Sequence, residues 1–98
     1  MMDILWSLVN PDSLTWAVWD QHNALFHGET GETHLLSELP ALLLRALADA
    51  ALSEQALCAL AARECDTRSD EPWRQKIHAI LLNLEQLELV EQRETAAP

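Results

Sequence analysis

The sequence predicts an α+β fold in which a three-stranded antiparallel sheet is followed by three α-helices. Two observations predict the sheet. Short runs rich in strand-forming residues occur within positions 14–36, and both glycines of the chain fall within positions 28–31. The third observation is that leucine, isoleucine and alanine recur at helical spacing from position 38 to position 87. Because the strands precede the helices and do not alternate with them, a doubly wound sheet is excluded.

The predicted sheet is a meander of three short strands joined by turns. We place these strands at residues 14–19, 24–27 and 33–36. The polar residues 20–23 form the first turn. A tight reversal forms the second, and we expect either Gly28 or Gly31 to adopt a positive φ there. A sheet of this size has one apolar face that must be covered.

Three helices supply that cover, and a polar residue precedes each. Ser37 is predicted to cap the first helix. Ser53 caps the second helix, which runs to about Glu64, and Asp70 caps the third. The third helix has a long apolar stripe, formed by Trp73, Ile77, Ile80, Leu81, Leu84 and Leu87. A short extended segment is expected at Leu89–Val90. A three-stranded sheet packed on three helices resembles a winged-helix domain.

Length and composition predict one cytoplasmic domain. A chain of 98 residues has room for a single core, so we assign residues 1–98 to one domain with a core at about 6–92 and a frayed tail at 93–98. The longest apolar run, residues 39–52, is too short to span a bilayer and contains charges. The N-terminus has an acid where an export signal needs basic residues, so Cys58 and Cys65 are expected to be reduced thiols.

The charge balance argues against nucleic acid as the partner. Sixteen acidic residues against six basic ones leave a formal net charge of −10. Such a chain is repelled by phosphate backbones. The third helix contains only Arg74 and Lys76 as basic residues, whereas a DNA-reading helix would be strongly basic. A peptide or a protein surface is therefore the better candidate partner.

The sequence contains no pattern typical of an enzyme, a metal site or a cofactor site. His27 and His34 flank the glycine turn on neighbouring strands, but a third ligand at a workable spacing is missing. Nucleophile motifs and phosphate-binding glycine loops are missing as well. We therefore predict a non-enzyme with neither a metal nor a cofactor. At least one of Trp6 and Trp19 is expected to be partly exposed, either as a protein contact or as a lid over a small core.

Four stretches resemble PqqD-like proteins, and in particular the subgroup associated with the HPr-rel-A system. They are Trp-Ala-Val-Trp at 16–19, Gly-Glu-Thr-His-Leu-Leu at 31–36, Leu-Cys-Ala-Leu-Ala at 57–61 and the leucine-rich segment 82–91. The resemblance covers about residues 6–92, and its most specific part is the segment 31–36. It implies a RiPP recognition element, a small winged-helix-like domain that binds the leader of a ribosomally made precursor peptide. Such domains present the peptide to a modifying enzyme, which is a radical SAM enzyme in the pyrroloquinoline quinone pathway.

The resemblance also implies where the peptide docks. The third strand lies at a sheet edge, so its unpaired backbone groups can accept an extended peptide as a further strand. The matching strand residues are Thr33, His34, Leu35 and Leu36. On the third helix, the positions one step round from the core stripe are expected to form the other wall of the groove: Arg74, His78, Leu82 and Glu85. Arg74 and Lys76 are the cations expected to meet leader carboxylates.

The predicted function is that of a non-catalytic peptide chaperone in a biosynthetic system. Its partners are a precursor peptide and either a modifying enzyme, radical SAM or other, or an HPr-kinase-related protein. Two alternatives stay open. One is a structural interaction subunit bound to a partner or to a second copy in a homo-oligomer. The other is a winged-helix regulator, which the net charge disfavours.

Overall fold

The computed structural model describes residues 3–19, 22–28 and 30–95. It confirms the α+β class, with antiparallel strands before three helices. The predicted meander is found as β2 (Leu14–Trp19), β3 (His22–His27) and β4 (Glu32–Leu36), paired in the order β2-β3-β4. The strand β3 begins earlier than predicted, because His22 and Asn23 pair with β2 and do not belong to the turn. The remaining predicted turn residues, 20 and 21, lie outside the described residues.

A second antiparallel sheet joins the two ends of the chain. It contains β1 (Asp3–Leu8), β5 (Leu52–Ser53) and β6 (Val90–Thr95) in the order β5-β1-β6. The extended segment expected at residues 89–90 is therefore the start of a six-residue strand. Residues 93–95 were expected in a frayed tail but pair with β1, while residues 96–98 lie outside the described residues.

The three helices are α1 (Glu38–Asp49), α2 (Glu54–Glu64) and α3 (Glu71–Gln86). Two predicted caps are confirmed: the Ala56 N–H donates to Ser53 Oγ at 3.1 Å, and the Trp73 N–H donates to Asp70 Oδ1 at 3.1 Å. Ser37 occupies the cap position of α1, but its side chain accepts no capping hydrogen bond, contrary to the prediction. Each helix nonetheless begins where the local sequence indicated.

The core lies between the two sheets and the three helices. Its fully buried members come from β3, the three helices, the residue before β6 and the first residue of β6. The largest apolar ones are Leu25, Leu43, Leu44, Leu57, Ile77, Leu81, Leu84, Leu89 and Val90. Trp16 and Trp73 pack against this cluster while staying partly exposed. Trp6, placed by the sequence before the first strand, lies in β1 and is only 2% exposed. The side chain of Trp19 lies outside the described residues, so only part of that expectation is tested.

Candidate functional site

All four predicted strand residues lie in β4, which forms one edge of the β2-β3-β4 sheet. Because residues of a strand alternate between faces, His34 and Leu36 share the inner face with buried Leu25. Thr33 and Leu35 lie on the outer face, and the Leu35 side chain is 58% exposed. The predicted docking strand is thus an edge strand, as expected.

Opposite residues of an antiparallel ladder alternate between hydrogen-bonded and non-hydrogen-bonded pairs, and we call the position of this alternation along the strands the hydrogen-bond phase. In this sheet it is set where β2 meets β3. The Gly28 N–H donates to the Ser13 carbonyl at 2.7 Å, just beyond the register pair Leu14–His27. In an antiparallel ladder this bond makes Leu14–His27 a non-hydrogen-bonded pair, and the two pair types alternate from there. The backbone groups of His27 and Leu25 therefore point away from β2 and toward β4.

This phase decides which groups of β4 face its free edge. His34 lies opposite Leu25, so these two residues exchange backbone hydrogen bonds within the sheet. The N–H and C=O groups of Thr33 and Leu35 point in the opposite direction, toward the free edge. An incoming strand would meet the backbone of Thr33 and Leu35, and the backbone of His34 would stay in the ladder.

The glycine turn has the backbone conformation that the sequence predicts, and two histidines flank it. Gly31 has φ +75°, so one of the two glycines does require a positive φ. His27 and His34 share the inner face, but they are not directly opposite each other, because His27 pairs with Glu32. His27 is 2% exposed, and its Nδ1 lies 2.9 Å from Thr30 Oγ1. In the described part of the chain its Nε2 is buried without a hydrogen-bond partner.

Three of the four predicted helix residues line one groove. Arg74, His78 and Leu82 follow one another along α3 and face Glu54 at the start of α2 across a groove of about 490 Å³. Glu85 is half-buried and is not among the described residues that line it. Those lining residues come from α2 and α3, and β4 contributes none of them.

One ion pair and one hydrogen bond engage the polar side chains of the α2–α3 groove. Arg74 Nη2 lies 2.8 Å from Glu71 Oε2, and His78 Nδ1 lies 2.8 Å from Glu54 Oε1. Hydrogen bonds from Arg74 and from Gln75 lower the pKa of Glu71, so this carboxylate stays ionised beside the guanidinium. Arg74, one of the two cations expected to meet leader carboxylates, is therefore already paired within its own helix.

The structure also shows a surface that the sequence analysis did not single out. Two depressions lie over the first half of α1, and Glu38 and Leu42 line both of them. One is completed by Trp73 and Lys76 of α3, and the other by residues that include Arg45. The sequence gives two signals for this surface: Lys76, which is expected to meet leader carboxylates, and the position of α1, which begins two residues after the end of β4. We call the region defined by Glu38, Leu42 and the two cations the α1 surface.

Within the described residues, His, Cys, Asp and Glu form no group of three that could hold a metal ion. Burial raises the pKa of the Cys58 thiol, as expected for an unreactive core cysteine. Among the helices of the described ranges, none is both long and apolar enough to cross a membrane.

Comparison with known proteins gives one informative match. No family model matches the chain, and no curated protein matches it either. A solved structure described as "Lasso peptide synthetase B1 complexed with the leader peptide" superposes with a TM-score of 0.65. The two sequences are 20% identical, and the alignment covers 88% of this chain and 96% of that chain. At this identity the match shows that the two chains share a fold.

Proposed function

We propose that this protein is a non-catalytic peptide-binding module of the PqqD-like type, in the HPr-rel-A subgroup. It docks an extended precursor peptide on the edge of β4 and presents it to a modifying enzyme or to an HPr-kinase-related protein in the cytoplasm. One observation carries the proposal: the segment most similar to the PqqD-like pattern, residues 31–36, contains the edge strand β4. The shared fold with a synthetase chain solved with its leader peptide supports it.

The mechanism follows from the hydrogen-bond phase of β4. The outward-facing backbone groups of Thr33 and Leu35 can form ladder hydrogen bonds with an extended chain, which supply much of the affinity in this recognition mode. Peptide side chains would then alternate between the two faces of the enlarged sheet. Sequence preference would come from the surfaces next to β4, while the backbone bonds would hold any extended segment.

The test is a proline substitution at the docking edge. Leu35→Pro removes an N–H that faces the free edge and leaves the ladder to β3 intact. We expect the affinity for a synthetic peptide of alternating valine and threonine, measured by calorimetry, to fall at least about tenfold. Circular dichroism should show that the variant is folded.

Two matched variants separate the backbone from other effects. Leu35→Ala removes the same side chain and keeps the N–H, so it should bind far better than Leu35→Pro. Val18→Pro places proline on the opposite edge strand β2, where the same phase also directs the N–H outward, and it should bind like the wild type. If folded Leu35→Pro binds the peptide as the wild type does, the docking edge is elsewhere.

The predicted helix wall of Arg74, His78, Leu82 and Glu85 stays part of the proposal. Three of these residues share the α2–α3 groove. If the bound peptide also reaches this groove, His78→Ala and Leu82→Ser should weaken binding several-fold without altering the stability of the fold. Unchanged affinity in both variants would confine the site to β4 and its surroundings.

A structural interaction subunit is the second candidate, because the outer face of the β2-β3-β4 sheet has an uncharged, exposed patch. Its members include Phe26, which is 44% exposed, and Leu35, together with Thr15, Ala17 and Thr33. Exposed apolar patches often mark protein contacts. Light scattering tests this alternative: a stable dimer that Phe26→Thr dissociates would favour it, and a monomer at all concentrations would exclude self-association.

A further inference from the structure

The α1 surface lies next to the docking edge along the chain. β4 ends at Leu36 and α1 begins at Glu38, so a strand added to β4 and extended past Leu36 leads toward the first half of α1. The two depressions there have volumes of about 350 Å³ and 330 Å³. Because Glu38 and Leu42 line both, they form one continuous surface.

Each depression contains a cation that is held against a tryptophan ring. Lys76 Nζ lies 5.9 Å from the centre of the Trp73 ring, and Arg45 Cζ lies 4.7 Å from the centre of the Trp16 ring. Arg45 also donates a hydrogen bond to Asn23 Oδ1 at 2.9 Å. A cation over an aromatic face is oriented while it keeps its full charge.

These two cations differ from the other basic residue on α3. Arg74 forms an ion pair with Glu71 at 2.8 Å. Neither Arg45 nor Lys76 forms an ion pair with a carboxylate of the described residues. In a chain with a net charge of −10, two cations that are held in place without an ion pair to a described carboxylate can attract anionic groups of a partner.

The acids and leucines at the α1 surface indicate which groups of a partner would fit each part of it. Glu38 lies in the region shared by both depressions, so an anionic partner group is disfavoured there. Glu64 lines only the depression that contains Lys76. Leu39 and Leu42 are half-buried and offer apolar contacts near the shared region. A complementary chain would therefore have acidic groups toward Arg45 and Lys76 and an apolar side chain between them.

We propose that the peptide docked on β4 continues over the α1 surface with an acidic–apolar–acidic segment, whose acids contact Arg45 and Lys76. This inference rests on the proposed function, because it takes the peptide to be on β4. Every ladder in the described sheets is antiparallel, and antiparallel pairing is the more stable arrangement. The segment is therefore N-terminal to the residues that pair with β4.

Synthetic peptides test the charge pattern. Three fluorescein-labelled peptides share a segment of alternating valine and threonine and differ in an N-terminal extension, which is Asp-Leu-Asp, Ser-Leu-Ser or Lys-Leu-Lys. By fluorescence anisotropy at low salt, the aspartate peptide should bind about three- to tenfold more tightly than the serine peptide, as two exposed ion pairs allow. The lysine peptide should bind most weakly. The aspartate advantage should shrink in about 0.5 M NaCl.

Matched variants test whether the preference for the aspartate peptide depends on Arg45 and Lys76. Arg45→Met and Lys76→Met remove a positive charge and keep an unbranched side chain, so each should remove part of the aspartate advantage. Arg63→Met and Arg68→Met change the net charge equally at exposed positions outside both depressions and should keep it. If either control loses as much as Lys76→Met, the preference reflects overall charge and the inference is overturned.

The failure of the inference differs from the failure of the proposed function. If the three peptides bind equally and Leu35→Pro still abolishes their binding, the docking edge stands and the α1 surface plays no part. An aspartate advantage that appears only when the extension is moved to the C-terminus would also overturn the inference. If no peptide shows binding that Leu35→Pro removes, the proposed function fails, and the inference fails with it.

Discussion

Gly31 shows how one residue is required by backbone conformation alone. Its φ of +75° is rarely adopted by other residues, and a Cβ at this position would meet no atom within 4 Å. We expect Gly31→Val to destabilise the protein by about 1 kcal/mol or more, because valine is strained in that region. The melting temperature should fall by about 4–8 °C for a domain of this size.

Asparagine provides the matched control at this position. It tolerates the left-handed region better than any β-branched residue, so Gly31→Asn should keep much of the lost stability. Because a Cβ at this position meets no other atom, steric contact does not contribute. Melting temperatures that fall in the order Gly, Asn, Val would therefore reflect the backbone conformation alone. A melting temperature that is unchanged in Gly31→Val would show that the turn does not depend on glycine.

Two serines test capping at the level of the helix. Ser53 Oγ accepts a hydrogen bond from the N–H of Ala56, whereas the Ser37 side chain makes no capping hydrogen bond. Ser53→Ala should therefore cost about 1 kcal/mol, and Ser37→Ala should cost clearly less. Urea denaturation of the two variants measures the difference in the free energy of unfolding. Equal losses would contradict the capping difference between α1 and α2.

Proline should have different effects on stability at two neighbouring positions of the edge strand β4. His34→Pro removes an N–H that bonds to fully buried Leu25, while Leu35→Pro removes one that faces the free edge. A buried carbonyl left without its donor costs about 1–3 kcal/mol, so His34→Pro should be the less stable variant by that amount. The urea midpoints of the two variants should differ accordingly. The reverse order would show that the hydrogen-bond phase is opposite.

At the scale of the whole molecule, net charge affects stability. Sixteen acidic side chains and six basic ones produce a net repulsion that folding intensifies, and salt screens it. The melting temperature should therefore rise when NaCl is increased from about 0.05 M to 0.5 M. The triple variant Asp49→Asn, Glu88→Gln, Glu94→Gln removes three exposed acids and should show a smaller rise. An equal rise in both proteins would mean that the salt acts in another way.

Local signals predicted most elements, while pairing between distant segments was missed. The caps at Ser53 and Asp70 and the strand at 14–19 are found because capping and strand preference depend on neighbouring residues. The pairing of β1 with β6 joins residues from opposite ends of the chain. The polar segment 90–95 has the composition of a tail, and only its partner makes it a strand.

The candidate site divides in the same way. The segment 33–36 was placed on an edge strand from its sequence, and β4 is such a strand. The sequence does not show in which direction the backbone groups of β4 point, because that direction depends on how β2 and β3 pair. Helical periodicity identifies the buried stripe of α3, but it does not show which other elements lie on either side of that stripe. Arg74 thus faces α2, whereas Lys76 lies beside α1.

The α+β class, the three helices and the glycine turn can be predicted from the order of the amino acids alone. These features follow from side-chain periodicity, capping and φ preference, which act over a few residues. Three features depend on the folded chain: β1 and β6 form a second sheet, Thr33 and Leu35 present the free backbone edge, and Arg45 and Lys76 border one surface. Those features arise from contacts between residues far apart in the chain, where packing sets register and orientation.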